Sequence, residues 1–255
     1  MDIDKDIAVI DLALYVKEVL IISDTHIGYE EALNKQGVFV PRFQFKEIIL
    51  RLESIFKKLK NKKIETIVIN GDVKHEFGRI SDQEWRHTLR LLDFLGRHCD
   101  NIILIKGNHD KILGPIAEKR KVKVLDYYFI NEKGSITKKT LKRKSIKKNK
   151  KILVIHGDKI PGDDILKETS VIIIGHEHPA VSVKEGPRVE VFKAYLKGKW
   201  KSKKLIVQPS FNLVTEGTNV LNERLLSPFL HQNLRNFDVW IAADKVYGFG
   251  KLKEF

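Results

Sequence analysis

The sequence is nearly without cysteine: Cys99 is the one thiol in 255 residues. This excludes a disulfide framework and any metal cluster built on several thiolates of this chain. Long apolar runs are also missing. The longest are short stretches such as residues 171–174, whereas a membrane-spanning helix needs about 18. The opening Met-Asp-Ile-Asp-Lys-Asp is acidic where a secretory signal would be basic, so the expectation is a soluble, cytoplasmic protein with no membrane partner. Hydrophobic residues nonetheless make up 42% of the chain, which excludes a disordered or fibrous protein and suffices for one sizeable core.

Two segments lack carboxylates altogether. Residues 133–151 carry ten basic side chains and residues 191–204 carry six, with no acid in either. They hold the whole surplus behind the net charge of +14, because the rest of the chain has 31 basic against 33 acidic residues. A surplus gathered in patches suits a polyanion, since each Lys or Arg set against a phosphate releases counterions. Lysine-rich surfaces also serve solubility and accompany growth at high temperature, so both readings stand. On the first, Lys142, Arg143 and Lys144 meet phosphate, and Trp200 stacks on a base between lysines. On the second, Trp200 caps a hairpin core.

What is present in quantity is alternation. Residues 19–23, 66–70, 102–106, 151–155 and 171–174 are mainly apolar runs of buried-strand length. Between them, residues 43–60 space Phe45, Ile48, Ile49, Leu52, Ile55, Phe56 and Leu59 as an amphipathic helix, and residues 82–96 repeat the pattern with Trp85, Leu89, Leu92 and Leu95. Strand and helix in turn predict a layered α/β fold. Later, residues 188–196, 204–208 and 239–246 read as strands separated by turn signals. No internal repeat or Pro/Ser-rich linker divides residues 1–255, so one domain is expected, with the two basic segments as surface loops or hairpin extensions.

Each of the five buried runs ends in residues that bind metals. They are Asp24-Thr-His26, Gly71-Asp72-Val-Lys-His75, Gly107-Asn108-His109-Asp110, His156-Gly157 and Gly175-His176-Glu-His178. Six of the nine histidines fall in these five places. Open α/β sheets bind ligands beyond the carboxyl ends of their strands, so the five clusters converge on one crevice. Imidazole with carboxylate suits Zn, Mn or Fe rather than Ca. Asp24, His26, Asp72, Asn108, His156, His176 and His178 are seven donors, too many for one tetrahedral ion. A pair of ions sharing Asp72, about 3.5–4 Å apart, would clamp a phosphoryl group. Any one of these short patterns recurs by chance; five in order, each after a strand, do not.

In this respect the sequence resembles the calcineurin-like metallophosphoesterases, whose Asp-x-His, Gly-Asp, Gly-Asn-His-Asp/Glu, His and Gly-His-x-His motifs all stand between Asp24 and His178. Its second motif, Gly-Asp-x-x-His, is most similar to that of archaeal SbcD-related phosphoesterases and bacterial ligase-associated phosphodiesterases. The resemblance implies a two-sheet β-sandwich flanked by helices. It implies Asp24, His26, Asp72 and His178 around one divalent ion, and Asn108, His156 and His176 completing the second, most often Mn, with Zn, Fe or Ni as alternatives. A hydroxide held between the ions would attack phosphorus while His109 protonates the leaving oxygen, Asp110 orients the His109 ring, and His75 contacts substrate at the rim. Expected partners are DNA or RNA, and proteins that process DNA. Two other functions fit the residues less closely: a phosphomonoesterase or small-nucleotide phosphatase, and a scaffold without catalysis.

Overall fold

A computed structural model describes residues 1–131 and 151–255. Lys142, Arg143 and Lys144, with nearly all of the 133–151 basic segment, lie outside the described residues. The first sheet runs in chain order through β1 (Asp2–Asp4), β2 (Ile7–Ile10), β3 (Ala13–Val16), β4 (Val19–Ile22), β5 (Thr66–Asn70), β6 (Ile102–Ile105) and β7 (Lys123–Leu125). It is antiparallel as far as β4 and parallel from β4 to β7. The parallel crossovers contain α1 (Tyr29–Lys35), α2 (Gln44–Lys58), α3 (Asp82–Gly96) and α4 (Gly114–Arg120).

The second sheet contains β8 (Tyr128–Ile130), β9 (Lys151–Val154), β10 (Thr169–Ile174), β11 (Pro179–Glu185), β12 (Arg188–Trp200), β13 (Lys203–Val207) and β14 (Thr218–Asn219), ordered 14-11-12-13-10-9-8. On its other branch, β15 (Asp238–Ala242) pairs with β12 and β16 (Val246–Lys251) with β15. The short α5 (Asp163–Lys167) joins β9 to β10. None of the described helices is long and apolar enough to cross a membrane.

Period-two alternation divides the core into three layers. Val19, Ile21, Val68, Ile103 and Ile105 of the first sheet meet Ile152, Val154, Ile173, Tyr195 and Ile206 of the second. The intervening Leu20, Ile22, Ile67, Ile69, Ile102 and Leu104 face Ile48, Leu52, Ile55, Leu92 and Leu95 of α2 and α3. Leu153, Ile172, Ile174, Leu205 and Val207 pack outward on Leu166, Phe229, Leu230 and Leu234. With both faces covered, β4, β5 and β6 are buried along their whole length, which is why they read as unbroken Val/Ile/Leu runs. The fold is the expected two-sheet α/β sandwich flanked by helices. Two expectations change: three strands precede the first anticipated one, and the run 239–246 is two strands, β15 and the start of β16, with a turn between.

Candidate metal centre

The motif residues leave their strands at one end of the sandwich. Asp24 and His26 follow β4, Asp72 follows β5, and Asn108 and His109 follow β6, all from the first sheet; His156 follows β9, and His176 and His178 follow β10, from the second. Backbone hydrogen bonds continue past the strand ends. The Asp24 N–H donates to Gly71 O (3.1 Å), the His26 N–H to Asp72 O (2.9 Å), and the Gly175 N–H to His156 O (2.9 Å). The segment after β13 joins the two sheets, with the Phe211 N–H on Ser23 O (2.7 Å) and the Asn212 N–H on Asp24 O (3.0 Å).

All seven candidate ligands come together. The Nε2 atoms of His26 and His178 lie 3.2 Å apart, and His178 Nε2 is 3.4 Å from Asp24 Oδ1. Opposite them, His176 Nδ1 is 3.2 Å from His156 Nε2, which lies 3.0 Å from Asn108 Oδ1 and 3.3 Å from Asp72 Oδ2. Asp72 Oδ2 is also 3.7 Å from His26 Nε2. The donors thus form one group of Asp24, His26 and His178 and another of Asp72, His156 and His176, with Asp72 between them. Ligands at 2.0–2.1 Å from one tetrahedral ion stand about 3.3 Å apart, so these separations suit donors sharing a cation. Four imidazoles, two carboxylates and an amide oxygen are also the mixture that takes Zn, Mn or Fe. The residues fit a pair of divalent ions.

The backbone is bent to deliver them. Asp24, His26, Asp72, His176 and His178 all have positive φ, between 41° and 64°, a region costing roughly 1–2 kcal/mol for a residue with a Cβ. Five such residues in one cluster mark a constrained site. The adjoining glycines admit the side chains. A Cβ on Gly71 would run into the His156 ring, and one on Gly107 into the Asp72 carboxylate.

Electrostatics follow from burial and from the two aspartates. Burial, then the neighbouring His178, pushes His26 well below the ordinary histidine range, and burial with His156 lowers His176. Both are therefore neutral, the form that ligates. For His156, burial is outweighed by the hydrogen bond and charge of Asp72 and the charge of Asp24, which raise it to about 9. Asp72 resists burial through His156 and His26 and stays well below the usual carboxylate range.

His109 borders this cluster with its Nε2 3.9 Å from Asp72 Oδ2. Its Nδ1 faces the carbonyl of His75, so the partner that orients the ring is a backbone oxygen. Asp110 does not take that role. Its carboxylate accepts from the backbone N–H of Val73 (3.0 Å) and Gly107 (3.1 Å), tying together the turns after β5 and β6. Burial, reinforced by Asp72, raises Asp110 to about 7. His75 stacks on Tyr29 at 4.2 Å and lies 5.4 Å from the rings of His26 and His109, beside the cluster.

Trp200 is not a stacking platform. It is 6% exposed and packs at 4.9 Å on Phe229 in the outer core of the second sheet, because its position on β12 points inward there. The 191–204 segment is the β12–β13 hairpin, and much of its charge is used within the fold. Lys193 is buried and donates to Ser210 Oγ, Thr215 O and Glu216 O; Lys203 donates to Thr169 O, and Lys204 pairs with Asp4.

Several positioning residues escaped the sequence reading. Gln44 Nε2 donates to the carbonyls of Thr25 and His26 and to Asn212 Oδ1. Glu84 completes a capping box with Ser81 and also accepts from the N–H groups of His75 and Glu76. The spacing Ser81-Asp-Gln-Glu84 was a legible helix-start signal; its second task was not. Glu177, buried between two ligands, accepts from the N–H groups of Leu226 and Ser227.

Solved structures share this fold. Nuclease MPE from Pseudomonas putida superposes with a TM-score of 0.58 at 18% identity, over 94% of this chain and 92% of that one. The phosphoesterase Yfce from E. coli gives 0.39 at 12% identity over 87% and 86%, and Zn-complexed Vps29 from Entamoeba histolytica gives 0.36 at 14% over 91% and 98%. No curated protein matches the sequence. The family profile for calcineurin-like phosphoesterases matches residues 17–214, a stretch holding every ligand candidate from Asp24 to His178. This chain belongs to the calcineurin-like phosphoesterases.

Proposed function

We propose that this protein is a dinuclear metal-dependent phosphodiesterase that cleaves nucleic acid or a nucleotide-derived diester. The observation that carries the reading is the pair of donor groups on either side of Asp72, with His109 Nε2 at their edge. Asp24, His26, Asp72 and His178 would hold one ion, and Asp72, Asn108, His156 and His176 the other. Manganese suits this mixed nitrogen and oxygen set. Ions bound there would draw charge from a phosphoryl group and bring the pKa of water toward neutrality.

The chain's own residues supply the proton. With Nδ1–H held on the His75 carbonyl, a proton on His109 Nε2 faces the reacting group. As water that has given one proton to solvent adds to phosphorus and the P–O bond to the leaving group breaks, the leaving oxygen takes the proton of His109 Nε2. Support for a polynucleotide comes from the basic surplus, from the nuclease fold of the P. putida neighbour, and from the likeness to SbcD-related and ligase-associated phosphoesterases. A role in DNA repair in the cytoplasm, with DNA-processing partners, is consistent with these features. Lys142, Arg143 and Lys144 are proposed phosphate contacts; replacing all three with Gln should flatten the salt dependence of polynucleotide binding by about three in log–log slope.

The test is hydrolysis of bis(4-nitrophenyl) phosphate beside 4-nitrophenyl phosphate by protein supplied with Mn2+. Diester turnover exceeding monoester turnover is expected. A monoester preference would replace this reading with a phosphatase.

A further inference from the structure

Beyond Asn108 the ligand cluster opens into a cleft of about 730 Å³ lined by Phe77, Lys106, Asn108, Lys111 and Lys159. That volume suits a ligand of nucleotide size. Phe77 is 58% exposed, yet its ring centroid lies 3.6 Å from that of His109. An exposed aromatic is unremarkable in general; one set against the proposed proton donor, at the wall of a cleft that begins at a ligand, is placed where a leaving group must pass. Its loop is also fixed, because Glu84 accepts from the N–H groups of the neighbouring His75 and Glu76.

The charges have a similar layout. Lys106 reaches Asp126 at 3.3 Å, but both are largely exposed, so the pair is worth little and exchanges readily. Lys111 and Lys159 meet no carboxylate within 4 Å among the described residues, and both are exposed. Asp158 in the same wall sets a limit on the positive field. An aromatic face beside the reacting centre, followed by three lysines, is the order in which a nucleotide strand presents a base and then its next phosphate.

We propose that this cleft takes the nucleoside on the leaving side of the scissile phosphate, its base stacked on Phe77 and its next phosphate among Lys106, Lys111 and Lys159. The inference rests on the phosphodiesterase reading and names its substrate as a diester with a base on the leaving side. Stacking of one base is worth about 1–3 kcal/mol, or about 5- to 150-fold in kcat/KM.

The test compares the Mn2+-loaded enzyme on the dinucleotide dT-p-dT with two analogues, each abasic on one side of the phosphate. Wild type should prefer dT-p-dT by about tenfold over one of the two analogues, mainly through KM. In Phe77→Ala that ratio should fall to about one, and in Phe77→Trp it should return; exposure of the side chain leaves the melting temperature unchanged. Lys111→Gln/Lys159→Gln should lower kcat/KM for a trinucleotide with an added phosphate on that side more than for the dinucleotide. A ratio in Phe77→Ala equal to wild type overturns the proposal. So does hydrolysis of bis(4-nitrophenyl) phosphate with none of dT-p-dT, which leaves the phosphodiesterase reading intact. Failure on both substrates by protein holding two ions removes that reading itself.

Discussion

His26 and His178 face each other across 3.2 Å although 152 positions separate them in the chain. One leaves the first sheet and the other the second, so their meeting depends on the packing of Val19, Ile21 and Val68 against Val154, Ile173 and Ile206. A metal bound by both would join the sheets. Metal removal should therefore lower stability as well as activity. Saturating Mn2+ at 100 times its dissociation constant would add about 2.7 kcal/mol for each independent site. Thermal unfolding with and without a chelator checks this, and equal melting temperatures would count against ligation.

His109→Ala should reduce kcat by about 10²–10⁴-fold on a diester with an alkoxide leaving group while leaving metal content unchanged. The loss should be much smaller with 4-nitrophenolate, which departs without a proton. Equal losses on both substrates would assign His109 to binding rather than proton transfer.

Gly107→Ala should remove metal binding without touching a ligand, because the added Cβ meets the Asp72 carboxylate. Overpacking of this kind costs about 1–3 kcal/mol. Metal content per chain, measured after purification in Mn2+, should fall below that of the wild type.

How far the sequence was legible follows from burial. β4, β5, β6, β9 and β10 are covered on both faces, so each left a continuous apolar run that ends at its ligands, and the ligand clusters could be read in order. The hairpins joining β1 to β4 left no such mark. Their turns place Asp6, Asp11, Lys17 and Glu18 at positive φ, where glycine or asparagine would have signalled a turn. Phe77 was silent for another reason: a single aromatic in a loop has no periodicity, and only the fold sets it against His109. Trp200 left two readings open because its neighbours in sequence are lysines, and its apolar neighbours in space decide for the core.

Trp200→Ala should cost about 3–5 kcal/mol of stability and leave polynucleotide affinity per folded molecule unchanged. Denaturant unfolding and a salt series of binding curves separate the two effects. A loss of affinity with wild-type stability would restore the stacking role.

Lys193 gives a pH signature of its own. Burial, opposed in part by Glu216, lowers its ammonium to about 8, below the usual value near 10.4. The folded state then binds fewer protons than the unfolded state between these values. Stability should rise with pH across that window, by on the order of 3 kcal/mol from this group, and Lys193→Met should lack the rise. Identical slopes for both proteins between pH 8 and 10 would place the ammonium in an ordinary environment.

The most direct measurement is a titration of metal-stripped protein with Mn2+, following heat of binding and diester hydrolysis together. Two ions per chain, with turnover appearing as the second binds, is the predicted result. Saturation at one ion, or full turnover at the first equivalent, would contradict a dinuclear centre built around Asp72.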